Sequence, residues 1–168
     1  SDAVNSRYAQ DHVPVREQST AEGHAVRAAY LYAGMADAAA ETGDEALLAA
    51  CRRIFENIAF RRMYITGGIG SSSFGEAFTI DYDLPNEQAY AETCAAIPLA
   101  LFARRMSNIE PDSLYADVAE KAIYNGLLSG ISLDGKRFFY ENPLELRLSH
   151  HSRNVSQKPE PEHYPITR

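Results

Sequence analysis

Residues 64–96 read YITGGIGSSSFGEAFTIDYDLPNEQAYAETCAA, and this passage decides how the chain is built. Gly67, Gly68 and Gly70 allow positive φ or close approach to a neighbour, and Ser71, Ser72 and Ser73 add short polar side chains. Such a segment is a loop, and it delivers Glu76 between Gly75 and Ala77. Past Asp81 and Asp83, the Leu84-Pro85-Asn86 punctuation predicts a helix carrying Glu92, Thr93 and Cys94 near its first turns. Two carboxylates and a thiol converge on one region, and the flanking chain is their scaffold.

Upstream, SRYAQDHVPVREQ has no clear period and is stiffened by Pro14. His12, Arg16, Glu17 and Gln18 crowd together just before a helix, where they serve either a helix-entry hydrogen-bond network or contact with a sugar. Thr20 is the expected N-cap of an alanine-rich helix over about 21–41, with Gly43 where a C-terminal glycine belongs. His24 falls in its first turn and, taken alone, reads as a hydrogen-bonded packing residue. A second helix over about 44–62 carries Leu47, Cys51, Ile54 and Ile58 on one stripe, which makes Cys51 a core residue.

Downstream, the helix holding Cys94 continues through PLALFARRM, where Pro98 is expected to kink it. A fourth helix over about 112–129 points Leu114, Val118, Ala122 and Leu127 toward a core. The period then changes to a hairpin, Ile131–Leu133 and Arg137–Tyr140 about an Asp134-Gly135 turn, with PLELRLSHH as a candidate third strand. His150 and His151 are adjacent, would face opposite sides of that strand, and cannot easily share a metal. Paired helices with loops and one short hairpin predict a mainly α fold, part of a layered helical barrel. A closed toroid of six helix pairs needs about twice this length.

With 168 residues and 45% hydrophobic side chains, the chain is long enough for one core and one domain. Its first residue is Ser1 and its tail is polar with prolines, so we expect an incomplete portion of something longer. The net charge of -7 and the scattering of arginines as pairs argue against nucleic acid as a partner. No apolar run approaches the roughly 20 residues of a membrane span. Cys51 and Cys94 are too few for a disulfide framework, which points to free or metal-bound thiols in a reducing, cytoplasmic compartment.

Glu92 and Cys94 are both acceptable zinc ligands. On a regular helix positions i and i+2 lie about 200° apart, so both reach one ion only where the turn is irregular. Glu76, beside Phe78, is either a solvated loop residue or a general acid held protonated near aromatic surface, as glycosidases use. Tyr64, Phe74, Phe78, Tyr82 and Tyr90 suit sugar faces and ordinary packing equally.

Six stretches, HVPVREQ (12–18), AEGHAVRA (21–28), YITGGIGS (64–71), YDLPN (82–86), AYAETCA (89–95) and FFYENPLE (138–145), together resemble glycoside hydrolase family 127, in order along nearly the whole chain. The family's named activity is β-L-arabinofuranosidase. The resemblance implies a fragment of an (α/α)6 barrel, lacking N-terminal helices and the β-sandwich domains of complete members. It also implies zinc-dependent retaining hydrolysis with a cysteine nucleophile. By this resemblance Glu76 is the general acid/base, Glu92 and Cys94 are zinc ligands, and His24 and Tyr140 hold the sugar. The family's Cys-Cys pair, which includes the nucleophile, falls after the region matching residues 163–168, so this portion alone is expected to be inactive. The rival readings are a non-catalytic carbohydrate-binding or structural helical unit, and a zinc-free glycosidase pairing Glu76 with Asp81 or Asp83. Helix faces meant for absent neighbours would be exposed, making a homo-oligomer possible.

Overall fold

The structure is a computed structural model, and it describes residues 6–145 and 163–165. Four helices carry the fold: α1 (Ala25–Thr42), α2 (Glu45–Asn57), α3 (Thr93–Ile109) and α4 (Ser113–Lys121). The amphipathic period of α1 is filled mostly by small side chains. Ala25, Ala28, Ala29, Tyr32, Ala33, Ala36 and Ala39 are all buried, and α1 packs along α3. Alanine on the contact stripe lets the two backbones approach closely. α3 is the central element, since both α1 and α4 pack on it. Where the helices meet, Phe102 of α3 lies 5.9 Å from Tyr32 and 5.2 Å from Phe55, ring centre to ring centre, and Phe55 lies 4.8 Å from Tyr115. Cys51 is fully buried beside this cluster, and burial pushes its thiol up to about 12, as expected of a core cysteine.

Four helix boundaries differ from the sequence expectation. α1 begins at Ala25, with His24 rather than Thr20 as its N-cap, because the His24 ring accepts the Arg27 backbone N–H. Thr20 instead donates its hydroxyl to Glu22. α3 begins at Thr93, leaving Glu92 as the N-cap residue outside the helix and Cys94 at its second position. Pro98 lies in the second turn of α3 and the helix continues through it. Proline withholds the backbone donor that a regular helix sets against the Cys94 carbonyl. α2 and α4 both close in wider π-helical turns, Ile58–Arg62 and Ala122–Leu127, rather than continuing as regular helix.

The Asp134-Gly135 turn forms, with Gly135 at φ +68°. Its two arms meet at an Ile131–Phe138 bridge and a Ser132 N–H to Arg137 carbonyl bond at 2.8 Å, and the ladder goes no further, since Ser132 Oγ accepts the Arg137 N–H and Asp134 braces Ser132. β1 (Arg137–Phe139) instead pairs antiparallel with β2 (His163–Pro165), with Phe138 opposite Tyr164. The expected strand in PLELRLSHH, with His150 and His151, lies outside the described residues.

The entry segment forms a hydrogen-bond network. Arg16 pairs with Asp44, the N-cap of α2, and buried Gln18 donates to the Gln10 and Val13 carbonyls. At the far end of α2, Arg62 is only 8% exposed; its Nε donates to Asp81 at 2.7 Å and its Nη1 to the Ala21 carbonyl. Asn57 completes the knot, accepting the Ala21 N–H at 3.0 Å and donating to Asp81 at 3.0 Å. Among the described residues no helix is long and apolar enough to cross a membrane.

The hydrogen bond from Arg62 holds the Asp81 carboxyl below its ordinary value, and Arg52 does the same for Glu110. A depressed folded value means the stabilisation is present above the unfolded carboxylate value near pH 4 and is lost as pH falls through the folded one. We expect unfolding midpoints measured between about pH 6 and pH 2 to drop steeply below about pH 4. In Asp81→Asn they should start lower and fall less.

Candidate active site

The glycine loop is a chain of short backbone pairings. Tyr64 donates to the Gly68 carbonyl at 2.8 Å and Met63 bridges to Ile69, closing a tight turn at Gly67, φ +85°. A side chain at Gly67 would strike the Lys121 backbone at 2.7 Å, so glycine lets the loop lie against the end of α4. The chain then runs beside the approach to α3, with the Ala91 N–H on the Gly70 carbonyl at 2.9 Å and the Tyr90 N–H on Ser71 at 3.3 Å. Ala77 bridges to both Ser72 and His24, and the Phe78 N–H bonds Gly23 at 2.9 Å. Between these anchors the backbone turns through two left-handed residues, Gly75 at φ +68° and Glu76 at φ +52°. Glutamate rarely adopts that conformation, and such strain persists only where surrounding structure enforces it.

The turn brings Glu76 Oε2 within 2.9 Å of His24 Nε2, and Tyr90 donates its hydroxyl to Oε1 at 2.7 Å. His24 Nδ1 accepts the Arg27 N–H at 3.2 Å, so the ring proton belongs on Nε2 and is donated to Glu76. Burial first, and then the bond to Glu76, pushes the Tyr90 hydroxyl far up. One ligand atom each of His24, Glu76 and Glu92 lies within 4.8 Å of the others.

Glu92 is 4% exposed and sits on the last residue before α3. Ala91, just before it, takes φ +38°, and its carbonyl accepts from Asn142 at 2.8 Å. Asn142 also donates to Thr93 Oγ1 at 2.9 Å, Thr93 Oγ1 donates to the Phe139 carbonyl at 2.6 Å, and the Thr93 N–H bonds the Tyr140 carbonyl at 2.9 Å. The 139–142 segment is thereby stitched across the start of α3. This sets the Tyr140 hydroxyl against the Glu92 carboxylate, with its ring 6.2 Å from Tyr90 at 72°. The difficulty with the i, i+2 spacing disappears, because Glu92 is not in the helix.

The donor set can be weighed as a metal site. The buried Glu92 Oε2 has no hydrogen-bond partner, and Cys94, a free and half-buried thiol, lies beside the same carboxylate. Burial above all, then Glu92, pushes the Cys94 thiol up to about 12. An unsatisfied buried carboxylate oxygen beside a thiol fits a zinc ion that would replace the thiol proton. His24 and Glu76 fit less well, since using His24 Nε2 as a ligand would break its bond to Glu76. The structure thus brings Glu76, His24, Glu92, Cys94 and Tyr140 to one place. It does not bring Asp81, whose oxygens are taken by Arg62, Arg61 and Asn57. Tyr90, seen in the sequence only as one aromatic among several, and Asn142 were missed. Nothing in their spacing announces a partner on another segment.

The unit is mainly helical, and an acid-bearing loop lies across the N-terminal approach to α3. The chain belongs to the family described as "Beta-L-arabinofuranosidase, GH127 catalytic domain", whose sequence profile matches residues 3–163. It is 51% identical over 138 residues to the non-reducing end β-L-arabinofuranosidase of Bifidobacterium longum subsp. longum, covering 82% of this chain and 21% of that protein. The crystal structure of a GH127 β-L-arabinofuranosidase from Geobacillus stearothermophilus T6 superposes with a TM-score of 0.82 at 61% identity, over 84% of this chain and 22% of the other. Another GH127 β-arabinofuranosidase structure superposes at 0.80 with 50% identity, over 84% and 24%. The helices are therefore part of the family's (α/α)6 fold, and the chain spans about a fifth to a quarter of the length of these relatives.

Gly70 tests how the site is held. It stands at φ +80°, and an added Cβ would meet the Ala25 Cβ at 2.8 Å, at the first residue of α1. Gly70→Ala should cost about 1–3 kcal/mol by denaturant unfolding and broaden the tyrosine near-UV circular dichroism signal.

Proposed function

We propose that the parent of this chain hydrolyses terminal β-L-arabinofuranosyl linkages, or those of a closely related sugar, with retention of configuration. These residues would supply the acid/base and two zinc ligands. The observation that carries the reading is the placement of Glu76 on an enforced left-handed turn, hydrogen-bonded on both oxygens and within 4.8 Å of a buried glutamate beside a thiol. In the first step Glu76 gives its proton to the departing glycosidic oxygen as a cysteine thiolate from outside these 168 residues attacks the anomeric carbon. In the second, the Glu76 carboxylate takes a proton from the water that displaces that sulfur. Glu92 and Cys94 would hold the zinc, which when bound keeps thiol ligands ionised at neutral pH. Tyr140 would position a sugar hydroxyl, and His24, whose two ring nitrogens bond Glu76 and the Arg27 N–H, would reach the sugar only by releasing Glu76; residues 1–168 alone would hydrolyse nothing, for want of the nucleophile. The zinc-free alternative that pairs Glu76 with Asp81 is disfavoured by the engagement of Asp81 with Arg62 and Asn57.

The test uses the full-length parent purified without added metal, by elemental analysis and by turnover of an arabinofuranoside. Zinc should be stoichiometric in the parent and lost or much weakened in Cys94→Ser. Glu76→Gln should retain zinc while turnover falls by about 100-fold or more. A parent without zinc would return Cys94 to the packing, and undiminished hydrolysis by Glu76→Gln would remove that residue from its role. A zinc-bearing parent with no hydrolytic activity would favour the carbohydrate-binding reading.

A further inference from the structure

Glu76 has a second donor whose role no sequence motif announces. The Tyr90 ring is 4% exposed, and its hydroxyl meets Glu76 Oε1, the oxygen His24 does not bond, at 2.7 Å. Tyr90 is itself fixed at three points: its N–H on the Ser71 carbonyl at 3.3 Å, its carbonyl receiving the Asn142 N–H at 3.0 Å, and its ring edge-on to Tyr140 at 6.2 Å. The side chain it touches is 35% exposed and stands on a strained turn. The last torsion of a glutamate is broad, so nothing in the turn itself fixes the carboxyl plane. Two donors, one per oxygen, do fix it, and each oxygen keeps a lone pair for the working proton.

We propose that Tyr90 is a positioning residue that holds the Glu76 carboxyl in the orientation from which it protonates the leaving oxygen. The proposal rests on the reading of Glu76 as the acid/base. Proton transfer to a leaving group tolerates little misplacement, and an error of about 1 Å can cost about 100-fold. Tyr90→Phe keeps the buried ring, its edge contact and both backbone anchors, and removes only the donor to Glu76.

The experiment compares kcat/KM of the full-length parent, Tyr90→Phe and Glu76→Gln on two β-L-arabinofuranosides. One has an alkyl leaving group, which must be protonated to depart, and the other a dinitrophenyl group, which departs unaided. For Tyr90→Phe the alkyl substrate should slow by about 10- to 100-fold and the dinitrophenyl substrate by less than about 3-fold, with zinc content unchanged. The ratio of the two rates does not depend on how much of a variant is folded, so it stays readable if Tyr90→Phe accumulates poorly. Glu76→Gln should show the same split more strongly. If Glu76→Gln splits the substrates but Tyr90→Phe slows both equally, or neither, the role given to Tyr90 is overturned. If Glu76→Gln itself shows no split, the acid/base reading fails first.

Discussion

A nearly buried guanidinium sets the geometry on which everything else rests. Arg62, at the end of α2, reaches the Ala21 carbonyl on one side and the Asp81 carboxylate on the other, and Asn57 ties the same two points together. The first point lies just ahead of His24, and the second just beyond the loop that carries Glu76. A charge withdrawn from water is tolerable only when paired and hydrogen-bonded, and here pairing fixes the spacing between two otherwise independent segments. The small backbone bridges between 23–24 and 77–78 then have the register that sets imidazole against carboxylate.

The helices were legible because burial imposes a period that the sequence repeats, as in the Leu47, Cys51, Ile54, Ile58 stripe, every member of which is buried. Their starting points were less so. Thr20 has the better N-cap chemistry, yet His24 caps α1, because the residues between them are drawn into pairing with Phe78 and into the Arg62 knot. Tertiary contacts outweigh a capping preference of about 1 kcal/mol. The hairpin shows the same competition on a smaller scale, since a serine hydroxyl takes a donor that the strand ladder would have used.

The site was legible in its residue types and not in its connections. Glu-x-Cys announced a pair of ligands, while the irregularity that lets both face one point depended on where α3 begins, a boundary set by Asn142 and Thr93 from well-separated parts of the chain. Glycines announced a tight loop, but only the fold shows that the strain runs on into Glu76 and Ala91, residues without conformational licence. Contacts such as Tyr90 with Glu76 join separate segments, and no local pattern encodes them.

Both α2 and α4 end in a π-helical turn, and each wide turn serves a neighbour: Arg62 closes the first, and Gly67 lies against the start of the second. A π-helical turn holds one residue more than the regular helix would, an insertion absorbed without lengthening the axis. Removing that residue would restore a tidier helix while rotating the downstream chain by about 100°. Arg62 would leave its carboxylate, and the platform under Gly67 would turn away. Over evolutionary time these positions can change their side chains more freely than their number, so chain length within 58–62 and 122–127 should be more constant than composition.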